Sequence, residues 1–160
     1  MSVAFTREDS AQTAQDVTLP ERPISRHPNL VTETGWTALE TALADAQAAL
    51  EAGRKIEDRD ERRRASELAL RDLRYVSERL GSAQIRPAPV AFDVVAFGHR
   101  VTIQRDDGRR QTFRIVGEDE ADPHNDSISY VSPLARALMG KTVGDAAEIG
   151  GREIEILAIA

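Results

Sequence analysis

The decapeptide KIEDRDERRR, Lys55 to Arg64, is the most charged stretch of this 160-residue chain and contains neither glycine nor proline. Helical patterns run into it from both sides. The decapeptide is preceded by the segment TETGWTALETALADAQAALEAG (32–53), and its end overlaps the segment DERRRASELALRDLRYVSERL (60–80). In both segments the apolar residues recur at alternating intervals of three and four. Such a narrow apolar seam is typical of a helix that packs against one other helix.

The two seams can face each other in an antiparallel arrangement. Trp36 then lies opposite Leu80, Leu43 lies opposite Leu73, and both pairs are centred on Asp58. The sequence therefore predicts an antiparallel coiled-coil hairpin with its tip near Asp58. Larger side chains lie towards the base of this hairpin and smaller ones towards the tip, so we expect the tip to be the thinner end.

The carboxyl-terminal half changes to the alternating pattern of β-strands. HRVTIQRDDGRRQTFRIVGE (99–118) predicts two strands joined at Asp107-Gly108, which is a strong hairpin signal. SISYV (127–131) predicts another strand, and a last hairpin is predicted across Gly150-Gly151.

One short helix is predicted within these strands, at SPLARALMG (132–140). Ser132 suits the N-cap, Pro133 the first helical position and Gly140 the termination. Four or five strands with one helix on a face can form a core of their own.

We therefore expect an α+β protein made of four segments. These are a disordered or loosely attached tail (1–30), the coiled-coil hairpin (31–82), a linker (83–90), and a mainly antiparallel β domain with one short helix (91–160).

Composition excludes several classes of function. The net charge of −6 argues against a general duplex-binding surface. The absence of cysteine excludes a disulfide framework, thiol catalysis and Cys-ligated zinc. The sequence has no apolar run of the roughly 20 residues that cross a bilayer and no secretory signal pattern, so we expect a cytoplasmic protein that does not enter membranes.

The sequence also offers little that a self-contained enzyme would use. His27, His99 and His124 are scattered without ligand spacing. No phosphate-cradling glycine loop, nucleophile elbow or redox pair is present. We therefore expect neither a cofactor nor a metal of the protein's own.

The carboxyl-terminal half resembles the Gre transcript-cleavage factors of bacterial RNA polymerase. The segments that carry the resemblance are FGHRVTI (97–103), FRIVGEDEAD (113–122), ISYVSPLARALMGKTVGD (128–145) and REIEILAIA (152–160). TETGWTALETAL and SERLGSAQI extend it more weakly into the hairpin. The resemblance implies an amino-terminal antiparallel coiled coil followed by an FKBP-like β domain.

The resemblance also implies a function. Gre factors dock their globular domain at the rim of the polymerase secondary channel and pass the coiled coil towards the catalytic centre. Two tip carboxylates in D-x-x-E spacing, matched here by Asp58 and Glu61, help to hold a second Mg²⁺ at the polymerase active site. The polymerase then cuts its own backtracked RNA, so the factor is an accessory protein rather than an enzyme, and we expect it to act as a monomer.

Further contact residues follow from the same resemblance and from charge. Arg62, Arg63 and Arg64 directly follow the tip and are candidates for contacts with phosphates of the nascent RNA near its 3′ end. The residues expected to contact polymerase lie in the acidic loop and at the strand-to-helix corner: Glu118, Asp119, Asp122, Val131, Ser132, Pro133 and Arg136.

Three alternatives stay open. Asp58-x-x-Glu61 is also a capping-box pattern, with Asp58 as the N-cap of the second helix. Typical family members have an Asn and a tyrosine-bearing stretch after the tip, where this chain has Arg62-Arg63-Arg64. The hairpin of this chain is also shorter than that of typical family members, by about two turns per arm, or about 10 Å. These departures favour a second hypothesis, a non-catalytic regulator or inhibitor that occupies the channel without stimulating cleavage. Fold likeness alone suggests a third, a prolyl isomerase.

Overall fold

The computed structural model describes residues 18–160. Within that range a helical hairpin is followed by a β domain, and none of the described helices is long and apolar enough to cross a bilayer. In chain order the elements are β1 (Leu30–Val31), α1 (Glu33–Arg54), α2 (Arg59–Ser82), β2 (Gln84–Ile85), β3 (Arg100–Arg105), β4 (Arg110–Val116), a 3₁₀ turn (Pro123–Asn125), β5 (Ser127–Ser129), α3 (Pro133–Leu138), β6 (Ala146–Ile149) and β7 (Arg152–Ile159).

The long helices α1 and α2 pack against each other, and the chain reverses direction between Arg54 and Arg59. Leu39 and Val76 are buried together near the base of the hairpin, where Trp36, Leu43 and Leu80 pack against them. Farther along the hairpin, the buried residues are mostly small, and they are Ala46, Gly53 and Ala69 together with Leu50. The predicted antiparallel hairpin is therefore confirmed, and its core narrows away from the base.

Five strands form one sheet in the order β5-β4-β3-β7-β6. All neighbours are antiparallel except β4 and β5, which run parallel. Alternation places Val101 and Ile103 of β3 in the core, together with Ile154 and Ile156 of β7. The predicted mainly antiparallel β domain is confirmed.

The predicted short helix is α3, which covers one part of this core. The Ser132 hydroxyl accepts a hydrogen bond from the Ala135 N–H at 3.2 Å, and Pro133 is the first helical residue. Ala135 and Leu138 are fully buried against the sheet residues. A capped helix of six residues is too short to be stable alone, so this packing stabilises it.

A second, two-stranded sheet closes the base of the hairpin, because β1 directly precedes α1 and β2 directly follows α2. β1 and β2 pair in parallel, Leu30 with Gln84 and Val31 with Ile85, and the Arg86 N–H donates to the Val31 carbonyl at 2.8 Å. The sequence assigned Leu30 to the tail, Val31 to the hairpin, and Gln84, Ile85 and Arg86 to the linker. Strands of two residues carry no readable alternation, so this pairing is evident only from the tertiary structure.

The predicted tail falls partly outside the described residues, at 1–17. From Thr18 the described chain runs beside α2. There Glu21 pairs with Arg74, and the Arg22 guanidinium lies 3.3 Å from the Asp72 carboxylate and 3.7 Å from the centre of the Tyr75 ring.

Candidate functional site

The hairpin tip presents the two predicted carboxylates on the first turn of α2. Asp58 is the N-cap, and its Oδ1 accepts a hydrogen bond from the Glu61 N–H at 2.8 Å. Asp58 and Glu61 are both exposed. The capping interaction of the alternative reading is therefore present, and it fixes the Asp58 side chain at the apex beside Glu61.

Arginine side chains surround this tip. Arg62 is half-buried, and its Nη1 donates to the carbonyl of Ile56 at 2.9 Å and, more weakly, to that of Glu57 at 3.4 Å. Arg63 and Arg64 are exposed on the same helix. Arg62 therefore closes the tip loop, while its neighbours lie on the surface behind the carboxylates.

The chemistry of the tip fits a metal ion that is shared with another molecule. The described residues contain no group of three or more His, Cys, Asp or Glu side chains that could hold an ion by themselves. Mg²⁺ takes oxygen ligands, keeps several of its waters, and is commonly held by one or two carboxylates together with phosphates. Asp58 and Glu61 can supply such a partial set.

At the other end of the hairpin, the acidic loop after β4 contacts the helices. Arg79 is only 2% exposed, and its Nε donates to Asp119 Oδ2 at 2.5 Å while its Nη2 donates to Asn29 Oδ1 at 2.7 Å. The Tyr75 hydroxyl donates to Asp119 Oδ1 at 2.5 Å. Glu118 Oε2 lies 3.7 Å from Arg79 Nη2, within ion-pair range but too far for a hydrogen bond. We call these five residues the joint cluster.

The joint cluster was not anticipated from the sequence. Arg79 follows Val76 by three residues, so it falls on the apolar face of α2, and an arginine on a buried face is the signal that a sequence reading could have used. Glu118 and Asp119, predicted to contact polymerase, have side chains only 22% and 17% exposed. Their principal contacts in the described chain are with the hairpin.

The remaining predicted contact residues lie nearer the surface. Asp122 caps the 3₁₀ turn, and hydrogen bonds from the Asn125 amide and then from the His124 N–H lower the pKa of its carboxyl. At the corner before α3, Val131 and Ser132 are half-buried. Pro133 and Arg136 are exposed.

A family model described as "Transcription elongation factor, GreA/GreB, C-term" matches residues 89–160. Across the longer chain, a transcription elongation factor GreB of Neisseria meningitidis serogroup B is 36% identical over 152 residues, covering 82% of this chain and 93% of that relative. This chain belongs to the GreA/GreB family of transcription elongation factors. A GreA of Hyphomonas neptunium is 49% identical to this Gre-family chain over a shorter stretch of 70 residues, 41% of this chain and 45% of the relative.

Solved structures of Gre-type proteins are also similar. GreA factor homolog 1 of Thermus thermophilus matches with a TM-score of 0.40 and 22% identity, covering 84% of this chain and 99% of that one. A GreA/GreB factor of Nitrosomonas europaea matches with a TM-score of 0.40 and 18% identity, covering 82% and 98%.

In this Gre-family chain, the stability that the joint cluster contributes depends on pH through Tyr75. Burial, followed by the hydrogen bond to Asp119, raises the pKa of Tyr75 to about 12. An unfolded tyrosine has a pKa of about 10. Since the folded pKa is the higher one, this contribution to stability is complete below about pH 10 and is lost as the pH rises through about 12.

We therefore expect the Tyr75→Phe variant to lose less stability than the wild type as the pH rises from about 9 to about 12. Urea unfolding at several pH values measures this difference. Tyr130→Phe is a second test of the same linkage, because burial also raises the pKa of Tyr130, so this variant should likewise lose less stability than the wild type as the pH rises. Equal pH slopes for wild type and Tyr75→Phe would contradict the assignment.

Proposed function

We propose that this chain binds bacterial RNA polymerase at the secondary channel and promotes cleavage of backtracked RNA. The β domain holds the channel rim, and the hairpin extends towards the catalytic centre. Membership of the GreA/GreB family supports the polymerase as the partner. The factor has no hydrolytic activity alone and supplies side chains to the polymerase's own active site.

The observation that carries the cleavage role is the pair of exposed carboxylates at the apex. Asp58 and Glu61 lie within one helical turn, so both can approach one ion. A carboxylate has about four lone-pair positions, and the cap occupies one of those of Asp58. The remaining oxygens can complete the ligand set of a Mg²⁺ that the polymerase supplies, where a second ion positions the attacking water.

The arginines beside the tip support a contact with RNA. Arg63 and Arg64 are exposed within two turns of the carboxylates. Guanidinium groups bind phosphate oxygens through paired hydrogen bonds, so these residues would hold the 3′ end of the displaced transcript beside the ion.

A second candidate is occupation of the channel without cleavage. α1 and α2 contain 22 and 24 residues, and each is therefore about 35 Å long. A tip displaced by about 1 Å already loses much of its catalytic benefit. A hairpin of this length that stops short of the catalytic ion would block the channel and inhibit transcription.

The double variant Asp58→Asn, Glu61→Gln is expected to reduce RNA cleavage about 100-fold without loss of polymerase binding. Asparagine is as good an N-cap as aspartate, so this variant removes the charges and keeps the start of α2. Cleavage of labelled RNA in a stalled, backtracked elongation complex measures the effect.

Glu57→Gln is the matched control, because Glu57 is an exposed carboxylate next to Asp58 but outside the D-x-x-E pair. Unchanged cleavage by the double variant would show that the tip is not catalytic. Binding with no cleavage by the wild type at any Mg²⁺ concentration would favour the blocking role, and failure to bind core polymerase would reject both.

A further inference from the structure

The loop at the hairpin tip has no regular secondary structure of its own. At its start, the Ile56 N–H donates to the Gly53 carbonyl at 3.2 Å and so completes the end of α1. Its last residue, Asp58, is the N-cap of α2. Between these two points the chain reverses direction within residues 55–58, so the position of the apex depends on the contacts that hold this loop to the helices.

The Arg62 side chain reaches back from α2 to this loop. Its Nη1 donates to the Ile56 carbonyl at 2.9 Å and, more weakly, to the Glu57 carbonyl at 3.4 Å. The backbone N–H of Arg62 donates to the Asp58 carbonyl at 2.9 Å. One residue therefore binds three successive carbonyls of the loop. Because a guanidinium is planar and its donors have fixed directions, these bonds restrict how the loop backbone is oriented on α2.

The loop that Arg62 holds determines where the tip carboxylates lie. Asp58 and Glu61 are both exposed, so packing does not fix their side chains, and hydrogen-bonded neighbours must do so. The bond from the Glu61 N–H to Asp58 Oδ1 needs an extended backbone at Asp58, which has φ −63° and ψ 127°. Arg62 binds the two carbonyls before Asp58 and the Asp58 carbonyl itself, so it supports this conformation.

We propose that Arg62 is a positioning residue for Asp58 and Glu61, acting through the loop backbone, and is not a ligand of RNA. The inference rests on the proposed function, because it assigns a role within the same tip. Burial distinguishes Arg62, which is half-buried with its Nη1 bound to its own chain, from the exposed Arg63 and Arg64. Removing the Arg62 side chain should therefore disturb the geometry of the two carboxylates and leave binding to polymerase intact.

The first test is RNA cleavage in a stalled, backtracked elongation complex. Arg62→Gln should lower the maximal cleavage rate at saturating factor about 10-fold, a usual effect for a residue that supports a metal ligand. The factor concentration that gives half of the maximal rate should not change. Arg62→Lys should recover part of the rate, because an ammonium group can still donate to one of the carbonyls. Arg59→Gln is the matched control, since it removes the same charge from an exposed position on the first turn of α2, and its rate should equal that of the wild type.

A direct contact between Arg62 and RNA predicts a different pattern. Loss of one phosphate contact would lower the salt dependence of the half-saturating factor concentration by about one unit of logarithmic slope. The maximal rate at saturation would be retained, and Arg62→Lys would keep the affinity, because lysine also binds phosphate. This pattern would overturn the proposal, whereas an unchanged salt slope with a lower maximal rate supports it.

Amide hydrogen exchange on the free chain separates a failure of this inference from a failure of the proposed function. The Glu61 N–H, which donates to Asp58, should exchange several-fold faster in Arg62→Gln than in the wild type or in Arg59→Gln. A wild type that binds polymerase and cleaves nothing would contradict the proposed function, and exchange would still decide whether Arg62 fixes the tip. With an active wild type, an unchanged maximal cleavage rate for Arg62→Gln would overturn the inference; with an inactive one, unchanged exchange would do so.

Discussion

Arg79→Ala is expected to lower the free energy of unfolding by about 3 kcal/mol, because removing one partner of a buried ion pair leaves the others uncompensated. The guanidinium is 2% exposed and contacts Asn29, Glu118 and Asp119. The estimate lies at the lower end of the usual range because the two carboxylate side chains keep 22% and 17% of their exposure.

The loss should appear as a decrease in melting temperature of roughly 10 °C, since 1 kcal/mol corresponds to about 2–4 °C at this chain length. Circular dichroism measures the melting. Trp36, the single tryptophan, packs in the cluster at the hairpin base, so its fluorescence reports whether that end opens first.

Two variants test the physical reason. Arg74→Ala removes an exposed, solvent-screened ion pair with Glu21, so its melting temperature should stay close to that of the wild type. Asp119→Asn combined with Arg79→Ala should be more stable than the sum of the single losses predicts, because the uncompensated charge is gone. A melting temperature for Arg79→Ala within a degree or two of the Arg74→Ala value would show that the joint cluster does not hold the hairpin.

Gly117→Ala is the second large effect that we expect, with a loss of about 3 kcal/mol, at the upper end for overpacking. A Cβ atom at Gly117 would lie 2.3 Å from the carbonyl oxygen of Leu30. That oxygen is backbone and belongs to β1, which is fixed by its pairing with β2. Relief of the clash therefore requires the two halves of the molecule to separate at the joint.

Glycines in other surroundings provide graded controls. At Gly81 a Cβ would meet nothing within 4 Å, and the residue is in α2, so Gly81→Ala should stabilise by about 0.5–1 kcal/mol. At Gly35 the nearest atom, at 2.6 Å, is the end of the flexible Glu120 side chain. Gly35→Ala should therefore fall between the other two. Chemical denaturation of the three variants ranks them, and a Gly117→Ala variant as stable as Gly81→Ala would contradict the contact.

Local pattern was enough to predict the hairpin and the sheet. The three-four spacing in two neighbouring segments required two helices, and their short connection required an antiparallel pair. The strands of the β domain were evident from alternation and from turn residues such as Asp107-Gly108 and Gly150-Gly151. These features are set by residues close together in the chain, so each can be deduced from a short stretch of sequence.

The sequence by itself also placed two carboxylates beside the reversal of the chain, because capping and charge are local properties of a helix start. Only the tertiary structure decided which residues meet at the base of the hairpin, the end opposite the tip. Arg79, Asn29 and Asp119 are far apart in the chain, and the two-residue strands β1 and β2 have no period to detect. The contact between Arg79 and Asp119 depends on how the hairpin meets the β domain, and that meeting places Glu118 and Asp119 beside α2.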